Sequence, residues 1–404
     1  MYSQSFTARE LYECTTQSER CNLGLGREGI IKKIDDILCM QGGIDGLSFA
    51  FKSEHDFFTN GQVRDTDMYF IQELVLRKIY KNIKHIYGIQ QANRNTIIRI
   101  LYSLLQERTP HWVVRLDVKH FYASINRDSL VRRLELDGRL TRTTMGLLKK
   151  LLVSSNLGSG LPRGLAISAA MSELYMKYFD YAMKRIEGVY FYARFVDDVV
   201  VLCVSEEVQK VVNKEISEQL KKYGLDINTD KTKLWNSDGN GSKVPLEYLG
   251  YSFNEIQVQR GGKTHFQMEA SISIRKINKI KTRLTKAFLD YAKRKDFELL
   301  KMRIKFLTGN ISIPSDTSLL PIKVGIYYNY RYATLDGVTG DLKMLDKYYQ
   351  KLLHCRQGKL GRELCLTKEQ TQELERYSFL FGFKYRVLYH FSKHKIGMIK
   401  QCWR

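Results

Sequence analysis

The 404-residue sequence predicts an α+β fold, and three observations carry that reading. Runs rich in β-branched residues, WVVRLDV at 112–118 and VYFYARFVDDVVVLCV at 189–204, read as buried strands, the second as two short strands with an Asp pair between them. Longer stretches with apolar residues at three- and four-residue steps lie between and around them. The order is therefore helix, strand, helix, hairpin, helix, with non-adjacent strands, which suits sheet and helices packed as one α+β layer.

Each element follows from its own pattern. Residues 65–107 read as helices, with charges between the apolar steps, and helical periodicity returns from Asp128 to Val153. A Gly-rich turn (Asn156, Gly158, Gly160, Pro162, Gly164) precedes a helix over 165–185. Residues 206–223 alternate as an amphipathic helix, and 246–258 read as another hairpin. From Ile272 to Leu307 the pattern is helical and strongly basic: residues 271–310 hold twelve Lys/Arg against three Asp/Glu. The stretch 341–404 is also helical and basic, fourteen against six. Five prolines, none before Pro110, leave no Pro-rich linker, and no 20–50-residue repeat is visible.

Composition narrows the classes. At ~100–200 residues per domain the length suggests two or three packed units, and 44% hydrophobic residues supply a core. No apolar run approaches the ~18 residues of a membrane span. The first thirty residues carry Glu and Arg without an apolar stretch, which argues against a secretory signal and for a cytoplasmic protein. With 65 Lys and Arg against 43 Asp and Glu, the net charge is +22. So large a surplus points to a polyanionic partner, nucleic acid above all, although it also serves solubility. Seven cysteines without a CxxC pair read as reduced thiols. His390 and His394 form the one HxxxH pair, with no further ligands to complete a zinc site; the pattern places both on one face of a basic helix.

Three acids stand where acids are costly. Asp117 ends the apolar run Val113, Val114, Leu116, and Asp197 and Asp198 sit between Phe195-Val196 and Val199-Val200-Val201-Leu202. Carboxylates in such surroundings are penalised by desolvation, and adjacent like charges repel. An Asp pair between strands is compatible with an exposed hairpin turn. Hard divalent cations are the other solution, since their charge offsets the burial. A third Asp at the end of another strand is what two-metal phosphoryl transfer requires, with ions ~3.5–4 Å apart.

The runs LDVKHFYASI (116–125), GLPRGLAISAAMSELYM (160–176) and YARFVDDVVVL (192–202) resemble reverse transcriptase motifs A, B and C, in order. GLDINTDKTKLW (224–235) resembles motif D, and LEYLGY (246–251) the primer-grip motif E. The resemblance implies a right-hand polymerase of fingers, palm and thumb, with an RRM-like antiparallel palm sheet. It implies that Asp117, Asp197 and Asp198, with the Val118 carbonyl, hold two Mg²⁺ ions, for which Mn²⁺ can substitute. Tyr122 matches the aromatic gate against a ribose 2′-hydroxyl, core packing beside Phe121 being its other reading. Gly164 allows close backbone approach by the incoming nucleotide, and Lys231 is the candidate cation or acid on the pyrophosphate side. Tyr248, Leu249 and Gly250 match the primer grip. Upstream, Arg94 and Arg99 in QQANRNTIIR are candidates for the triphosphate, because a guanidinium binds phosphate bidentately. Two positions depart from the family pattern: Arg163 stands where Gln is common, and Phe195 where Tyr is common.

On this resemblance residues 1–64 form an N-terminal extension, 65–111 and 128–165 fingers and palm helices, and 112–258 the palm. Residues 271–340 form a basic thumb and 341–404 a helical basic C-terminal extension. Arg275, Lys279, Lys281, Arg283 and Lys286 then track the phosphate backbone of bound nucleic acid. No carboxylate constellation for an RNase H or other nuclease is visible after residue 260. The short length, the absent nuclease and the form RGLAISAAMSELYM look most like the bacterial defence-associated "unknown group" reverse transcriptases, the smaller polymerase of the type 3 system being the nearest. That implies an RNA template, often a non-coding RNA, together with dNTPs, a DNA product, and a second reverse transcriptase subunit or a homo-oligomer as partner. A retron-type enzyme, an untemplated or protein-primed DNA polymerase, and a non-catalytic RNA-binding scaffold are the alternatives.

Overall fold

The structure, a computed structural model, describes residues 2–49, 67–107, 109–153, 159–237, 244–313 and 321–403; Asn156 and Gly158 of the Gly-rich turn, and residues 50–64, lie outside these. The chain divides into two compact units, Met1–Ile97 with His111–Asn236, and Ile98–Pro110 with Ser237–Arg404. Both mix helices with mainly antiparallel sheets, as the α+β reading expects.

The first unit is built on four strands, β1 (His111–Asp117), β2 (Val189–Phe195), β3 (Asp198–Cys203) and β4 (Lys233–Ser237), in the spatial order β2-β3-β1-β4. Both β1 and β2 run antiparallel to β3. The run Val199–Cys203 is wholly buried, so β3 reads as a continuous apolar segment rather than an alternating one. Helix Glu206–Lys222, capped by Ser205, buries Gln209, Val212, Ile216 and Leu220 at three- and four-residue steps. The Gln209 amide donates to the carbonyls of Val113 (2.8 Å) and Trp235 (3.1 Å), stitching the helix to β1 and β4.

The N-terminal helices share this core: Leu11, Ile30 and Ile34 pack in the same cluster as Ile71, Val75 and Ile79 of helix Asp67–Tyr87. A capping box at Thr16 and Glu19 starts helix Gln17–Leu23, and Glu19 also takes a bidentate pair of hydrogen bonds from Arg77 (2.7 and 2.9 Å). The helical stretch expected from 128 to 153 is two helices, Arg127–Asp137 and Arg142–Val153, because Gly138 (φ +59°) ends the first in the left-handed region.

The second unit carries a meander of β5 (Leu246–Tyr248), β6 (Tyr251–Arg260) and β7 (Lys263–Ile272). The hairpin expected over 246–258 thus gains a third strand, turned by Gly261 and Gly262, both at positive φ. Helices Ile274–Arg294, Phe297–Thr308 and Leu335–Leu353 follow around a core that includes Leu284, Phe288, Leu300 and Tyr349. Short strands β8 (Asn310–Ile313), β9 (Ile322–Gly325) and β10 (Leu388–Tyr389) form a further sheet, ordered β10-β8-β9, that interrupts the helical pattern expected for 341–404. One expectation is corrected here. His390 and His394 do not share a helix: Ser392 caps helix Lys393–Gln401, and His390 lies before that cap.

Candidate active site

Asp117 ends β1 and Asp198 opens β3, and the two are register partners across the antiparallel pair. Partners of this kind bring their Cα atoms to within ~4.5–5.5 Å, so two acids separated by eighty residues of chain meet at one sheet end. Phe195 pairs with Asp198, leaving Val196 and Asp197 as a two-residue turn between β2 and β3. Val196 has φ +61°, a conformation that a β-branched residue adopts at a cost of about 1–3 kcal/mol. Two bonds hold the turn. The Val118 N–H donates to the Asp197 carbonyl (3.0 Å), and Arg194 Nη1 donates to the Val196 carbonyl (3.0 Å). Arg194 is itself buried and fixed by Glu173 (2.7 Å) and Asp180 (2.8 Å) of helix Ala166–Lys184.

Two of the three carboxylates, Asp197 and Asp198, are electrostatically strained. Burial pushes the Asp197 carboxyl above its ordinary value, with the charges of Asp198 and Asp117 adding to the rise. Burial likewise raises Asp198, with Asp117 adding and the Arg115 guanidinium opposing. Lys231 Nζ donates to both oxygens of Asp117 (3.0 and 2.9 Å), and Asn228 Nδ2 donates to one of them (3.2 Å). Arg115 bonds Asp198 (3.1 Å) and, through its other amino group, the Lys231 carbonyl (3.0 Å).

Among the described residues no three His, Cys, Asp or Glu side chains converge closely enough to hold a metal as they stand. The donor set nevertheless fits a hard divalent cation. It is all carboxylate oxygen, and burial, with the neighbouring acids adding, raises two of its members. Such an ion would take the place on Asp117 that the Lys231 ammonium fills.

Tyr122 follows β1 on the short helix Phe121–Ser124, half-buried and edge-on to Phe121 at 5.5 Å. Burial raises its hydroxyl pKa, a Ser172 hydrogen bond opposes the rise, and the charges of Glu173 and Asp197 add to it, so the ring lies within electrostatic reach of Asp197. Gly160 is required there: a Cβ on it would stand 2.2 Å from the Tyr122 carbonyl oxygen. Gly164 (φ +88°) has open space where a Cβ would point, and Arg163 beside it is exposed. Arg94 and Arg99 lie on helix Arg94–Leu105, five residues and hence about 140° apart, so they point to different sides of it.

In the second unit Leu249 (φ +45°) and Gly250 (φ +85°) form a two-residue turn between β5 and β6. Its neighbours tie it to helix Ile274–Arg294: Ser273 N–H donates to the Gly250 carbonyl (3.1 Å) and Ile274 N–H to Glu247 (3.3 Å). Tyr248 is buried. On that helix Arg275, Lys279 and Lys286 are exposed, while Lys281 and Arg283 lie over the rings of Tyr348 (5.6 Å) and Trp403 (5.3 Å).

Sequence reasoning missed Arg115, Arg194 and Asn228. Arg115 interrupts WVVRLDV as Asp117 does, a charge in an apolar strand, and that signal was available. Asn228 lies in the quoted run GLDINTDKTKLW without having been singled out.

Residues 61–253 match the model of the family described as Reverse transcriptase (RNA-dependent DNA polymerase). The matched stretch contains the three acids, Tyr122 and Lys231, so residues 61–253 resemble a reverse transcriptase domain, which indicates a nucleotidyltransferase. Among solved structures, the one titled "Structure of apo telomerase from Candida Tropicalis truncated from C-terminal domain" is similar at 16% identity and a TM-score of 0.37, over 49% of this chain and 47% of that one. The chain thus spans about half the length of that structure. No curated protein matches the chain. Among the described residues no helix is long and apolar enough to cross a membrane.

Proposed function

We propose that this protein is an RNA-directed DNA polymerase that makes cDNA from an associated non-coding RNA in bacterial antiphage defence. The observation that carries the polymerase reading is the meeting of Asp117 and Asp198 as register partners beside the strained turn that presents Asp197. Two divalent ions, Mg²⁺ with Mn²⁺ as substitute, would be held by Asp117, Asp197, Asp198 and the Val118 carbonyl, and when bound supply activation of a 3′-hydroxyl and charge for the leaving pyrophosphate.

The chain's own residues do the rest. Lys231 Nζ, bonded to Asp117 here, is the cation for the pyrophosphate oxygens once it leaves that carboxylate. Tyr122 excludes a ribose 2′-hydroxyl. Arg163, Gly164 and either Arg94 or Arg99, which point to different sides of their helix, contact the nucleotide, with Arg163 tilting nucleotide or template choice. Tyr248, Leu249 and Gly250 hold the primer end, and Arg275, Lys279, Lys281, Arg283 and Lys286 track phosphates. In this reading 112–258 is the palm, 65–111 with 128–165 the fingers, and 271–340 the thumb. Residues 1–64 and 341–404 are extensions. The defence setting and a second polymerase subunit or homo-oligomer rest on the resemblance carried by RGLAISAAMSELYM, and the cytoplasmic location on the reading of the seven scattered cysteines as reduced thiols.

The test is incubation of the purified protein, its co-purifying RNA retained, with Mg²⁺ and labelled dNTPs or rNTPs, followed by product sequencing. DNA of defined sequence, abolished by RNase pretreatment, is expected. Random or homopolymeric DNA indifferent to RNase would replace this reading with untemplated synthesis.

A further inference from the structure

The second unit holds a cavity of about 250 Å³ formed between helix Ile274–Arg294, helix Phe297–Thr308, the β8–β9 sheet and helix Lys393–Gln401. Leu307 and Ile311, both buried, give it an apolar floor, and the rings of Phe306, Tyr330 and Trp403 line it. Phe306 and Trp403 face each other at 5.6 Å with their planes inclined by 48°. Trp403 is fixed in place, since its Nε1–H donates to the Arg283 carbonyl (2.9 Å). The polar wall is cationic: Arg283 lies over the Trp403 ring at 5.3 Å, and Lys400 is exposed beside it. No carboxylate lines the cavity, and among the described residues neither cation has a carboxylate partner. The nearby Arg294 and Arg303, by contrast, are both committed to Asp290.

A site that offers aromatic rings, an apolar floor and two cations with no carboxylate partner among the described residues recognises a flat, largely apolar group attached to an anion. The size is below the ~300–1,000 Å³ of drug-sized pockets, which restricts the flat group to one small ring system. A nucleotide unit meets both conditions, its base on the rings and its phosphate on Arg283 and Lys400. A base within a duplex is stacked and unavailable, so the strand must be single. We propose that this cavity binds one unstacked nucleotide of a single-stranded nucleic acid, anchoring the strand by a base rather than by its backbone alone. The inference rests on the proposed reading of the protein as a nucleic-acid enzyme, and adds to it a base-binding site outside the carboxylate centre.

The test measures binding by the full chain of short fluorescein-labelled oligouridylate, oligodeoxythymidylate and an abasic strand of equal length. Trp403→Ala is expected to weaken the two base-bearing strands about tenfold or more, the size of one lost base–aromatic stack. The abasic strand should bind the wild type with the same deficit and lose nothing further in the variant. Trp403→Phe, which keeps a ring, should recover most of the affinity, so that a folding defect is separable from lost stacking. Lys400→Ala, at an exposed position, should weaken base-bearing and abasic strands alike. A larger Trp403 effect on the ribose strand assigns the site to RNA, and a larger effect on the deoxyribose strand to DNA product. Equal binding by wild type and Trp403→Ala, or equal losses on base-bearing and abasic strands, would overturn the site. If dNTP incorporation stays intact in that case, the polymerase reading stands without it. Trp403-dependent binding in a protein that incorporates nothing would leave the site and remove the polymerase reading.

Discussion

The cations at the carboxylate end of the first unit's sheet and many of those in the second unit are held in different ways. In the first, the cations nearest the sheet end are locked onto carboxylates: Arg194 on Glu173 and Asp180, Arg115 on Asp198, Lys231 on Asp117. In the second, many are laid over rings, Lys305 over Tyr377 and Tyr389, Arg386 over Tyr327, Lys281 over Tyr348, with their charge still available. Paired, partly buried charge fixes positions and costs much to disturb; stacked, accessible charge costs little and is free to meet phosphates. The first arrangement suits chemistry at set distances and the second suits holding a polyanion.

Arg194 is the most consequential of these paired cations. Replacing it by Met leaves Glu173 and Asp180 without their buried partner and frees the Val196 carbonyl, and a loss of about 3–5 kcal/mol in urea unfolding is expected. Stability equal to wild type would show that the pairing does not hold the turn. Next comes Arg115→Ala, which takes away a hydrogen-bond partner of a proposed metal ligand. Such losses run to roughly 10–100-fold in metal affinity or activity, here read as a rise in the Mg²⁺ concentration for half-maximal incorporation. An unchanged Mg²⁺ requirement would remove Arg115 from the centre's support. The smallest effect belongs to the second unit. Lys279→Gln and Lys286→Gln should each flatten the plot of log affinity for nucleic acid against log salt by about 0.7–0.9, with unfolding unaffected. A destabilised variant with the slope intact would mean that these lysines are structural and do not meet phosphates.

Much of the first unit was legible because an acid in an apolar strand is a local anomaly. Asp117, Asp197 and Asp198 could be found from their immediate neighbours, as could β3 and the helix Ala166–Lys184. The partners of those acids were not legible in the same way. Arg115 meets Asp198 only through a strand register set eighty residues along the chain, and Arg194 meets Glu173 through a helix that precedes β2. Such pairings have no periodicity to read. The break at Gly138 was missed because one residue in the left-handed region ends a helix without altering the apolar spacing around it. The two-residue strand β10 is too short to show alternation, so it was read as part of a helix.

The proposed chemistry rests on Asp117, Asp197 and Asp198, which lie at the end of one sheet. Its most direct test is Mg²⁺-dependent incorporation of labelled dNTPs on an RNA template with a DNA primer, comparing wild type with the Asp197→Ala, Asp198→Ala double variant. The variant should keep its affinity for the primer–template and lose incorporation by more than the roughly 100-fold of a supporting residue. Incorporation by the variant at a rate close to wild type would contradict the placement of the chemistry at these residues.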